Sequence, residues 1–158
     1  MTHGARLHPP SGGMAAPSTT TLGDGTQLDL VPIAREIADE HLARHPEELE
    51  RYGDAVFTWC MHDNQHLLNW AALDIAGYVD LDEQVRWLAN VLTSRGYPLE
   101  NLVDDLRTAG AVLARRRPGS AALHPMVDRL TAAAAGLGAP AGAPPRQPSA
   151  DSKRRRTP

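Results

Sequence analysis

The sequence predicts an all-α fold: an antiparallel bundle of four main helices plus a weaker fifth, set between disordered termini. Three observations point there. Apolar residues recur at the helical period across most of residues 29–137. The chain holds only one Phe, three Trp and three Tyr, while Ala, Leu and Arg are abundant, a composition that favours helices over sheets. The punctuation between apolar stretches consists of helix caps and short turns, and no stretch shows strand-type alternation.

In the first helix, Asp29 is the cap, Pro32 falls in the tolerant opening turn and Pro46 marks the stop. The second begins at HPEEL, where Pro46 suits a first helical position, and runs to about Ile75; Gly53-Asp54 is a point where it can break, and Gly77 suits a C-terminal cap. Asp80-Leu-Asp-Glu83, close to a capping box, opens the third, which ends near Ser94 before the turn Arg95-Gly96-Tyr97-Pro98. The fourth runs from Pro98 to the arginines 115–117, cations that suit the negative end of the helix dipole. The weak fifth spans Pro125 to Ala135 and stops at Gly136. Short connections imply antiparallel neighbours.

Residues 1–28, rich in Pro, Gly, Ser and Thr, and residues 138–158 lack periodicity and are expected to be disordered, leaving a single domain over 29–137. The net charge of −3 conceals an uneven layout: residues 29–114 carry 16 acids against 6 Lys/Arg, and residues 115–158 carry 9 Lys/Arg against 2 acids. The tail Lys153-Arg-Arg-Arg156 offers weak, salt-sensitive contact with nucleic acid or another anionic partner. One cysteine, Cys60, excludes an internal disulfide and suits a reducing, cytoplasmic compartment. There is no apolar run of membrane-spanning length and no secretion-type apolar stretch near the N-terminus. Phosphate loops, GxSxG and CxxC are missing, so nothing points to hydrolysis, phosphoryl transfer or redox catalysis, and the expectation is a protein that is not an enzyme.

The candidate site lies around WCMHDNQHLLNW, residues 59–70. On the first helix, Leu30, Ile33, Ala34, Ile37 and Leu42 form an apolar half with His41 in its middle. On the second, Asp63 falls inside the apolar arc of Trp59, Cys60, Leu67 and Trp70, with His66 at its border. A buried carboxylate needs a partner. The expected arrangement is therefore a ligand pocket between the first two helices, with His41, Asp63 and His66 as polar contacts and Trp59, Trp70 and Trp87 as aromatic lining. The bland alternative is a core polar pair of His41 and Asp63 that fixes helix register. HxxxH occurs as His41/His45 and His62/His66, so a metal- or tetrapyrrole-binding bundle, of haem or cobalamin type, with His41 and His66 as ligands, is the rival reading.

Several marks lie at related spacings: Pro46 with Arg51-Tyr52-Gly53, Asp63 with His66-Leu67, Val85 with Trp87-Leu88, and Arg95-Gly96 with Pro98. On these, the segment from Leu30 to Leu113 resembles the helical module that precedes cobalamin-binding domains in bacterial regulators and light sensors. The cobalamin domain and its Asp-x-His-x-x-Gly motif are absent here. The resemblance implies a regulatory or sensory helical module without a cobalamin lower ligand. Its partner is another protein, a second copy of the chain being one choice, or a small ligand held between helices.

Overall fold

A computed structural model describes residues 15–116 and 120–139. Its elements are a two-stranded sheet, β1 (Thr19–Thr21) and β2 (Gln27–Asp29), followed by α1 (Leu30–Arg44), α2 (Pro46–Tyr52), α3 (Ala55–Ile75), α4 (Leu81–Ser94), α5 (Leu99–Arg116) and α6 (His124–Gly138). The chain is mostly helical, as its composition and periodicity require.

The hairpin corrects two expectations, the absence of strands and the disorder of residues 19–28. β1 and β2 pair antiparallel, Thr20 opposite Leu28, and these two point inward while their neighbours face solvent. The turn is built by Leu22-Gly-Asp-Gly-Thr26: Asp24 Oδ1 accepts from the Thr26 amide at 2.9 Å, and Gly25 takes φ 84°, open to glycine without strain. Three-residue strands are too short to show a period. Residues 1–14 and the basic run 153–156 lie outside the described residues.

α1 starts where expected: Asp29 caps it by accepting from the Val31 amide. The second predicted helix is two, because Gly53 adopts φ 72°, ψ −166°, a conformation that only glycine holds cheaply, and turns the chain between α2 and α3. That break lets the short α2 point Glu48 inward, where it is buried. Asp80 caps α4 by accepting from the amides of Asp82 and Glu83.

The weak fifth helix of the sequence reading is α6, three residues longer than expected at its C-terminus and packed closely on α5. It buries Met126, Leu130, Ala133 and Ala134. Small residues make this close approach workable: the Gly110 Cα faces Thr131 and Leu130 with ordinary contact room for no more than a methyl group. The core joins Leu30, Ile33, Ile37, Leu67, Leu68, Leu81, Leu106, Leu113, Met126 and Leu130 into one cluster. Arg116 pairs with Glu36 at 2.8 Å and Arg115 with Glu40, tying the end of α5 to α1. Arg129 of α6 holds Asp74 at 3.0 Å. Among the described residues no helix is long and apolar enough to cross a membrane.

Candidate functional site

His41 is fully buried on the inward face of α1, but its partners are not those expected. Its Nε2 lies 2.9 Å from Glu48 Oε1, and its Nδ1 lies 3.6 Å from Asp105 Oδ1. Glu48 Oε1 also accepts from the Tyr97 hydroxyl at 2.7 Å and from Asn101 Nδ2 at 2.8 Å. Asp105 accepts from Asn64 Nδ2 at 3.1 and 3.0 Å, and the Cys60 thiol reaches its Oδ1 at 3.7 Å. Helices α1, α2, α3 and α5 thus meet around a buried polar centre of two carboxylates, one imidazole and two amides.

The electrostatics follow from burial. Burial alone depresses the basicity of His41, but the Glu48 hydrogen bond and the Asp105 charge outweigh it and raise the pKa above its ordinary value. Burial pushes Glu48 up, and the His41 and Tyr97 hydrogen bonds more than reverse that, so its carboxyl stays below the usual range. Asp105 has fewer donors. Burial dominates, opposed by His41 and Asn64, and its pKa rises to about 6. The Cys60 thiol is pushed well up by burial and by Asp105, which makes it a poor nucleophile.

A pocket of about 70 Å³ opens beside this centre, lined by Glu48, Tyr52, Trp59, Cys60, Tyr97 and Asp105, with Asp63 and Arg95 at its walls. Among the described residues the Tyr52 hydroxyl is buried without a hydrogen-bond partner. Pockets for drug-sized ligands run to roughly 300–1,000 Å³, so a haem or cobalamin ring has no room inside this one.

The remaining predicted residues occupy a different surface. Asp63 is not the buried carboxylate: its side chain is 19 % exposed and its ion-pair partner is the adjacent His62, at 3.3 Å. The core pair of His41 and Asp63 is therefore replaced by His41 with Glu48 and Asp105. His66 does not approach His41. It stacks at ring-centroid distances of 4.7 Å on His62 and 5.6 Å on Trp70. Trp59 stands edge-on to His62 at 6.0 Å, and Trp70 edge-on to Trp87 at 6.5 Å. Trp87 is 50 % exposed and lines an open surface groove with Trp70. Trp59, His62, His66, Trp70 and Trp87 instead form a continuous, partly exposed aromatic row along α3 and onto α4. Burial lowers the pKa of His66, and the neighbouring His62 adds to the effect.

Glu48, Asn64, Tyr97, Asn101 and Asp105 were missed by sequence reasoning. A signal existed for the last two: Asn101 and Asp105 share the α5 stripe of Leu102, Leu106, Ala109 and Leu113, where a polar residue must be partnered. For a metal, three side chains come together, His41, His45 and Asp104. This set shares His41 with the predicted ligands and replaces His66. Comparison with protein-family models, with curated proteins and with solved structures finds no match.

Proposed function

We propose that this chain is a non-enzymatic regulatory or sensory module, an antiparallel helical bundle that acts through protein contacts made by the aromatic row of α3 and α4. The observation that carries the reading is the row itself. Five aromatic rings in sequence, at 6.0, 4.7, 5.6 and 6.5 Å, remain partly open to solvent, although Trp70 also packs against the core. Leaving indole rings in water forgoes burial worth about 1.5–3 kcal/mol for a large apolar side chain. Tryptophan is the residue type most enriched at binding hot spots. Trp70 and Trp87 flank a shallow groove edged by Glu83, Gln84, Arg86 and Asn90, an aromatic centre within a polar rim.

The sensory part rests on Trp59, which lines the internal pocket and also begins the row. A small ligand held beside Glu48, Tyr52 and Asp105 would press on Trp59 and so reach the contact face. The resemblance of Leu30–Leu113 to helical modules of bacterial regulators supports the same reading.

The test is photo-crosslinking in the cells that make the protein. A photoreactive residue at Asn90, beside Trp87, is expected to give one discrete adduct, to a second copy or to another protein. The same residue at Arg35, exposed on α1, should give none. Equal labelling from both positions, or none from Asn90, rejects the proposal.

A further inference from the structure

The C-terminal turn of α1 brings His41 and His45, one helical turn apart, to Asp104 of α5. One ligand-type atom from each lies within 4.8 Å of the other two. The two imidazole centroids are 4.6 Å apart, and His45 Nε2 is 2.7 Å from Asp104 Oδ2. Each ring is anchored through its other nitrogen by a glutamate: Glu48 Oε1 at 2.9 Å from His41 Nε2, and Glu47 Oε1 at 3.0 Å from His45 Nδ1. An imidazole whose N–H is tied to a carboxylate presents its lone pair on the opposite nitrogen, the arrangement that stands behind metal-ligating histidines. In His41 that opposite nitrogen, Nδ1, is buried and makes no hydrogen bond among the described residues. Asp105 Oδ1, 3.6 Å from it, sits at the separation of two ligands on one tetrahedral ion with bonds of about 2.0–2.2 Å.

We propose that His41, His45 and Asp104 form a binding site for a zinc-type divalent transition metal, with Asp105 in reach as a fourth ligand. Two imidazoles and carboxylate oxygens make a donor set suited to zinc and its first-row neighbours. The competing arrangement is the direct pairing of His45 with Glu47 and Asp104. Arg44 also lies 3.3 Å from Asp104 Oδ2 and donates to the Thr108 hydroxyl; its side chain, 52 % exposed, has to give up both contacts and turn to water when an ion brings its own charge. A bound ion would join α1 to α5, so metal binding and bundle stability are linked. This site is independent of the aromatic contact face.

The test uses the full chain, stripped with a chelator and titrated with zinc by calorimetry and with cobalt(II) by visible absorption. The expected result is one ion per chain, a cobalt spectrum of four-coordinate type, and a rise in Tm with added zinc. His45→Ala, at a half-buried position where folding is checked by circular dichroism, should weaken binding at least about a hundredfold. Glu47→Gln, which loosens only the anchor, should weaken it about tenfold. Folded protein that takes up no ion overturns the assignment. So does unchanged affinity in His45→Ala, or loss of affinity that follows the other HxxxH pair, His62 and His66.

Discussion

The buried centre around His41 and the aromatic row from Trp59 to Trp87 share α3 yet obey opposite rules. In the centre every charged group has partners from other helices: Glu48 of α2 with His41 of α1, Tyr97, and Asn101 of α5; Asp105 of α5 with Asn64 of α3. In the row, contacts run mostly between neighbours on one helix surface, and Trp87 keeps half its area in solvent. The first arrangement holds helices in place. The second is only partly covered, and on the proposed reading it is the face that meets a partner.

The contrast predicts unequal costs. Glu48→Ala strips the imidazole of its main partner and leaves buried charge uncompensated. It should cost about 3–5 kcal/mol in urea unfolding, and a cost below about 1 kcal/mol would erase the distinction between the regions.

Asp105→Asn sharpens the comparison through pH. Asp105 holds its proton up to about pH 6 in the folded chain, against an ordinary value of 3.8. Between these values the unfolded chain binds fewer protons, so the Asp105 contribution makes stability fall as pH rises from about 4 to 6. Asn should remove that fall and add on the order of 2 kcal/mol at pH 7, with little gain below pH 4. The paired groups set the flanks. The Glu48 contribution is lost as pH falls below the ordinary 4.5, and the His41 contribution as pH rises above 6.5. Of these three groups the summed contribution should therefore be greatest near about pH 4 and fall above it. A profile that rises steadily from pH 4 to 7 contradicts the assignment.

Asp63→Leu should change stability by less than about 1 kcal/mol, since Asp63 is part-exposed and its ion-pair partner is the adjacent His62. A loss of several kcal/mol would restore Asp63 to the buried role expected from sequence.

Helical content was legible because Asp29, Pro46, Asp80 and Gly77 mark boundaries by local chemistry alone. The hairpin was not, since a pair of three-residue strands carries too little period to be seen beside a Gly-Asp-Gly turn. His41 stood out as one polar residue on an apolar stripe. Its partners did not, because Glu48 turns inward only through the kink at Gly53, and Asp105 meets His41 across 64 residues of chain. The arc of α3 was read as one buried surface. Leu67, Leu68 and Ala71 are buried and His66 lies at the border as expected, but Trp59 and Trp70 are only half-buried too, and helical periodicity does not say where a neighbouring helix stops covering the arc.

The most direct test combines both properties in Trp87→Ala, with the photoreactive residue at Asn90. The account predicts unfolding free energy within about 1 kcal/mol of the parent protein together with loss of the cross-linked adduct. A variant that unfolds as readily as Glu48→Ala, or that keeps its adduct, would contradict it.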